Sequence, residues 1–140
     1  MKVAPKTVNF VFKFYESAKY QLDSVNQRDW NKLIGFTQLG RETYNSCRIA
    51  WRWYNDSLQL TYYVHDKGST IKTEYAFWNV NLNELNNGTI KDLNDEYYLE
   101  VNGIGIYIKK SSIYDRYFSY PYFGGDKTAP DKIKIYLEIL

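Results

Sequence analysis

The strongest constraint in this chain of 140 residues is a set of two-residue turn signals, each flanked by apolar residues at alternate positions. If Asn55-Asp56 closes a hairpin, Trp53 faces Leu58, Trp51 faces Leu60 and Ile49 faces Tyr62, so the large apolar residues of both strands share one face. A loop one residue longer would set Leu58 and Leu60 against Tyr54 and Arg52, exposing leucine or burying charge. Lys67-Gly68 repeats the device and predicts Val64 opposite Ile71, Tyr62 opposite Thr73, Leu60 opposite Tyr75 and Leu58 opposite Phe77. Asn102-Gly103 pairs Val101 with Ile104, Leu99 with Ile106 and Tyr97 with Ile108, and leaves Tyr98 beside Tyr107 on the reverse face.

The two ends of the chain follow the same period. Val8, Phe10, Phe12 and Phe14 alternate, as do Ile133, Ile135, Leu137 and Ile139 against Lys134, Tyr136 and Glu138. Gly124-Gly125 and Pro130 punctuate the approach to that last strand. One stretch reads as a helix, Ser24 to Gly35: Ser24 and Gln27 are spaced for a capping box, Trp30, Leu33 and Ile34 fall on one side, and Gly35 is placed to end it. Aromatic residues, 15 Tyr and 4 Trp among them, favour strands. Two meanders that each bury one face must cover each other. The expected fold is a single all-β domain over residues 1–140, a two-sheet antiparallel β-sandwich of jelly-roll type with one short helix.

Composition removes several function classes. A net charge of +2 is too mild for an electrostatic footprint on nucleic acid. The one cysteine, Cys47, rules out an internal disulfide framework and a cysteine-rich metal site, and reads as a small buried apolar residue. Asp92, Asp95 and Glu96 lack the glycine and paired ligands of a calcium loop and read as a solvated loop. No motif calls for a cofactor or a metal. The N-terminal residues carry no apolar run of signal-peptide length and nothing is long enough to insert in a bilayer, so the expectation is a chain kept inside a cell or released by lysis. Asn87-Gly88-Thr89 matches a glycosylation acceptor, taken as coincidence in an asparagine-rich chain without a leader.

The reverse face of the central meander is where chemistry could sit. Arg48, Tyr63 and Lys72 form one cross-strand row, Ala50, Thr61 and Glu74 the next, and Arg52, Gln59 and Ala76 a third, with Tyr54, Ser57 and Trp78 at the edge. Aromatic rings that stack on sugar C–H surfaces, beside Arg and Gln that fork onto hydroxyls or carboxylates, make Arg48, Arg52, Gln59, Tyr63, Lys72 and Trp78 a candidate ligand or partner face. An ordinary solvated sheet face and a protein contact are the competing readings. His65 reads as a solvated histidine in the turn to Gly68, because Asp66, its neighbour on an extended strand, points the other way. Glycoside hydrolysis needs two carboxylates facing across a cleft, no pair can be nominated from spacing alone, and no catalytic residue is assigned. A uronate lyase stays open, since Arg48, Arg52, Lys72 and Tyr63 are residue types that neutralise a carboxylate and move a proton.

Three stretches carry a resemblance: Asn31 to Phe36 (NKLIGF), Cys47 to Tyr54 (CRIAWRWY) and Tyr120 to Asp131 (YPYFGGDKTAPD). Together they resemble a poorly characterised β-sandwich domain of Bacteroides-type bacteria and their phages, which ends in a YPYFGG…AP…D segment followed by one alternating strand. Bacterial members of that group carry a lipoprotein or secretory signal and a histidine-rich loop before the Trp strand. Here neither is found, and the loop reads Thr37 to Ser46 without histidine. The resemblance therefore implies a non-enzymatic structural or interaction module, an auxiliary capsid (decoration) protein of a phage virion assembled in the host cytoplasm. Its partner would be a capsid or other virion protein, met by the polar face or by a contact loop with Tyr120, Tyr122, Asp126 and Asp131. The alternative is a carbohydrate-binding module of a bacterial surface or secreted protein, and a uronate polysaccharide lyase is the third reading.

Overall fold

The hairpin registers read from sequence across Asn55-Asp56 and Asn102-Gly103, and the first pair read across Lys67-Gly68, are found in the computed structural model, which describes residues 3–123 and 129–140. Strands β3 (Asn45–Tyr54) and β4 (Ser57–Asp66) pair Trp53 with Leu58, Trp51 with Leu60 and Ile49 with Tyr62. Asn55 and Asp56 turn between them at φ of 52° and 55°, as a type I′ turn requires. β5 (Ser69–Lys72) sets Ile71 opposite Val64, while β8 (Glu96–Val101) and β9 (Ile104–Lys109) pair Leu99 with Ile106 and Tyr98 with Tyr107. The remaining strands are β1 (Thr7–Phe14), β2 (Asn31–Gln38), β6 (Trp78–Val80), β7 (Asn86–Asp92), β10 (Arg116–Ser119) and β11 (Ile135–Ile139).

They form two antiparallel sheets. One runs β11-β1-β7-β8-β9, the other β10-β2-β3-β4-β5, with β6 also hydrogen-bonded to β4. Pairing is nested: β1 meets β11 and β2 meets β10, so that the chain wraps back along its own beginning. This is a β-sandwich of jelly-roll type. Phe10, Phe12 and Phe14 of β1 close against Leu33, Ile34, Phe36, Ile49, Trp51, Leu58 and Leu60 of the facing sheet, all buried in one core cluster. Cys47 lies in that core as expected, wholly buried and unpaired, and burial pushes its thiol up.

The helix expected between Ser24 and Gly35 is not formed. In its place stand a single 3₁₀ turn, Asn26–Arg28, and the first half of β2; the other short turn of this kind is Glu16–Ala18. The capping signal belongs to Asp23, whose Oδ1 accepts the N–H groups of Val25 and Asn26. Gln27 instead reaches inward and donates to the carbonyls of Tyr20 and Trp53. The helical spacing has a strand explanation: β2 is bulged between Lys32 and Ile34, so Leu33 and Ile34 both enter the core. Two adjacent apolar residues on one side then imitate a helical face.

Buried charge ties the two sheets together. Asp92, expected in a solvated loop, is 3% exposed at the end of β7. Lys110, just past β9, meets its Oδ1 at 2.9 Å, and Arg116 reaches its Oδ2 at 3.3 Å from β10 in the other sheet. Asp66 of β4 pins the same crossover by accepting from the N–H and hydroxyl groups of Ser111 and Ser112. Burial alone would raise the Asp92 carboxyl, but the Lys110 hydrogen bond, the Asn94 N–H and the two cations outweigh it and hold the group below its usual range.

Because that folded value is depressed, the stabilisation is present above the unfolded carboxyl value of about 3.9 and is lost as pH falls through the folded one. Lys110→Ala, which leaves Asp92 short of its nearer cation, is expected to lower the unfolding free energy by about 3–5 kcal/mol. Urea melts at neutral and acid pH check both effects: the wild type should lose more stability on acidification than Asp92→Asn, and parallel acid limbs would contradict it.

Candidate functional site

The outer face of the β10-β2-β3-β4-β5 sheet is built around two arginines that β3 places four residues apart on the same side. Arg52 is 5% exposed. Its guanidinium carbon lies 4.0 Å from the centroid of the Trp30 ring and 4.5 Å from that of Tyr54, a cation held between two π faces. Nε donates to Gln59 Oε1 at 2.9 Å, Nη1 to the Arg28 carbonyl at 2.8 Å and Nη2 to the Glu74 carbonyl at 3.0 Å. Three of the five N–H groups of a guanidinium are thus committed to the protein's own frame. Arg52 is a strut rather than a free fork for ligand.

Arg48 is 3% exposed and crosses β2 at Gly35. A Cβ at Gly35 would come within 2.0 Å of the Cys47 carbonyl oxygen and 2.8 Å of Arg48 Cγ, so glycine is what lets the arginine lie flat over the neighbouring strand. The Arg48 Nη1 donates to the Tyr122 hydroxyl at 2.8 Å, while its buried Nε has no hydrogen-bond partner among the described residues. Lys32 sits beside it. Its ammonium donates to the Trp30 carbonyl at 3.0 Å and rests 4.0 Å from the Tyr63 ring centroid and 5.9 Å from that of Tyr122. Burial, then the Arg48 charge and more weakly that of Lys72, bring the Lys32 ammonium down to about 8 against the pull of Asp29. The backbone of Lys32 holds Tyr122 in place by a reciprocal pair of N–H to carbonyl bonds, each 3.1 Å.

Between Arg52 and Tyr63 the surface opens into a groove of about 560 Å³, walled by Arg28, Asp29, Trp30, Tyr54, Gln59, Lys72, Glu74 and Tyr75. One wall comes from a break in the expected register. Beyond Lys72 the chain leaves the β4 edge and returns so that Leu60 meets Trp78, three residues past the Tyr75 expected there. Within the excursion Thr73 bonds to Thr61 across the sheet at 2.6 Å, and Glu74 and Tyr75 project beside the groove. An odd shift reverses every side chain. Trp78 therefore turns to the core, 3% exposed, with its indole N–H given to the Ile104 carbonyl, and the expectation that it edges the polar face is corrected.

Of the other sequence candidates, Arg48, Tyr63 and Lys72 stand in the expected row, and Gln59 stands opposite Arg52. Lys72 is tied to Glu74 at 2.9 Å. His65 is not a free turn residue: it lies half-buried on β4, edge-on to Tyr63 with 5.5 Å between ring centroids. Burial and the charges of Arg48 and Lys32 push its imidazole down. Of the contact-loop residues only Tyr122 joins the site. Tyr120 stacks on Phe118 away from the groove, Asp131 lines a separate cleft with Trp51 and Phe123, and Asp126 lies outside the described residues. Sequence reasoning missed Trp30 and Lys32 because the false helix claimed them. It missed Tyr75 because the continuous register put it in the core.

No family model and no curated protein matches the chain. Among solved structures the carbohydrate-binding module CBM66 from Bacillus subtilis is similar, with a TM-score of 0.45 and 8% identity over 82% of this chain and 71% of that one. The likeness is too loose to carry function. Among the described residues no helix is long and apolar enough to cross a membrane, and no cluster of three or more His, Cys, Asp or Glu could hold a metal ion.

Arg52→Leu, which removes the strut but keeps an apolar stem between Trp30 and Tyr54, is expected to cost roughly 1–3 kcal/mol for each carbonyl left unpaired. Trp78→Ala is expected to cost about 3–5 kcal/mol as a core truncation. Denaturant midpoints check both, and a Trp78 variant as stable as the wild type would return that residue to the surface.

Proposed function

We propose that this protein is a non-catalytic glycan-binding module whose site is the groove on the outer face of the β3-β4 sheet. The observation that carries the reading is the fixed Arg52 strut, which holds Tyr54 at the groove wall, backed by a Trp30 that is only 6% exposed, beside the hydrogen-bonding groups of Gln59 and Lys72. Sugars are bound by that combination: flat apolar rings against C–H faces, with planar donors and acceptors between them. Tyr63, steadied by the Lys32 ammonium on one ring face, and Tyr75, 82% exposed, extend the aromatic wall. Because Tyr54 and Tyr63 are held against Arg52 and Lys32 before ligand arrives, little ordering cost for them is left to binding.

Hydrolytic chemistry has poor support in the groove. Glu74 is bonded to Lys72, and that hydrogen bond and the Lys72 charge hold its carboxyl below the usual range, the opposite of what a general acid needs. The virion setting rests on the sequence resemblance, and nothing in the described surface favours a capsid protein over a glycan. Display in many copies, on a particle or a cell surface, would compensate for weak single-site affinity.

Affinity electrophoresis through gels containing a panel of polysaccharides tests the reading. At least one should retard the protein, and Tyr63→Ala and Tyr75→Ala should each weaken retention by about tenfold in Kd. Tyr107→Ala, on the opposite sheet, should behave as the wild type. Equal retention of the Tyr63 and Tyr75 variants would remove the groove as the site. New ultraviolet absorbance from unsaturated product on a polyuronate would replace binding with lyase chemistry.

A further inference from the structure

We infer that the groove is built for acidic glycans, with Lys32 and Arg48 forming a subsite at its Tyr63 end that receives the carboxylate of a uronate residue. The inference rests on the glycan-binding reading and names the ligand class of the same site.

Its basis is the unequal treatment of two cation pairs. Lys110 and Arg116 share the carboxylate of Asp92. Lys32 and Arg48 are as deeply buried, at 6% and 3% exposure, yet among the described residues neither has an ion-pair partner. Burying two like charges side by side without a counter-charge is costly, and a fold tolerates it where a ligand supplies the missing sign.

The field around the pair is mostly positive, although Lys72 within it is itself paired with Glu74. Facing Lys32 are Arg48 from β3, Tyr63 from β4, Lys72 from β5 and Tyr122 from the segment after β10; Asp29, ahead of β2, is the one carboxylate acting on it. His65 stands on the same face, where burial and then the charges of Arg48 and Lys32 push its imidazole down, and it supplies no counter-charge. Arg48 keeps an unpartnered Nε beneath the surface and gives its Nη1 to the hydroxyl of Tyr122, a residue 46% exposed. A carboxylate in place of that hydroxyl is the stronger acceptor, since hydrogen bonds to an ionised partner are about twice as strong as neutral ones. Guanidinium matches the planar, two-oxygen shape of a carboxylate, and the ammonium of Lys32 supplies a second charge beside it. Tyr63 connects the two regions: it borders the groove and carries Lys32 against its ring.

The test is isothermal titration of the intact protein with uronate oligosaccharides, each paired with its carboxyl-reduced neutral counterpart. The acid member of at least one pair should bind about tenfold tighter or better. That preference should shrink with added salt and decline as pH rises above about 8, where Lys32 gives up its charge. Lys32→Met and Lys32→Gln should bring acid and neutral members together. Neither should melt below the wild type, since each removes an uncompensated buried charge, and that result separates loss of preference from loss of fold. Acid and neutral members binding alike would overturn the acidic subsite and leave the glycan groove standing. No binding by any member of either set would overturn both.

Discussion

Two arginines on one strand cannot be buried without deciding what surrounds them. β3 places Arg48 and Arg52 on its outer side at 3% and 5% exposure, and each guanidinium demands acceptors that a sheet surface does not supply. For Arg52 one comes from Gln59 on β4 and two from chain segments outside the sheet: the carbonyl of Arg28 from the 3₁₀ turn before β2, and the carbonyl of Glu74 from the excursion after β5. Both irregular segments are thereby fixed to the same side chain. The groove between them is what remains when two loops are drawn toward one cation.

Arg48 has a different solution. It lies over Gly35, reaches Tyr122 and shares its surroundings with Lys32, so charge accumulates where Arg52 has been neutralised by dipoles. Asp92 shows the ordinary resolution of the same problem, with one carboxylate between two cations, Lys110 just past β9 and Arg116 on β10 of the other sheet. One fold thus contains an ionic cluster closed by a carboxylate, which holds the sheets together, and a buried cation pair without one, joined to the groove through Tyr63. The first serves stability and the second is suited to recognition.

Much of the fold could be read from the alternation because burial on one face makes register unambiguous. The hairpins around Asn55-Asp56 and Asn102-Gly103 leave no other arrangement that hides Trp51, Leu60 and Leu99. The failures share a cause. At Lys32–Ile34 a bulge puts Leu33 and Ile34 together in the core, and a period of two can no longer be told from a helical one. After Lys72 an excursion of backbone shifts the pairing by an odd number and turns Trp78 inward. Neither break has a signal in hydrophobic pattern, since each is stabilised by distant groups: Tyr122 bonded to the Lys32 backbone, and Arg52 bonded to Glu74. The site was half visible for that reason. Its arginines, Gln59 and Tyr63 sit on regular strands, whereas Trp30, Lys32 and Tyr75 sit on or beside the two irregularities.

The central claim is that ligand enters the groove that Arg52 organises, and the four tryptophan indoles report on it directly. Trp30 stacks on Arg52 in the groove wall, whereas Trp51, Trp53 and Trp78 belong to the core cluster. In a two-dimensional NMR titration with a binding oligosaccharide, the Trp30 indole signal should move with the ligand while the other three stay in place. A silent Trp30, with shifts instead on the outer face of the opposite sheet around Tyr98, Tyr107 and Tyr136, would contradict the account.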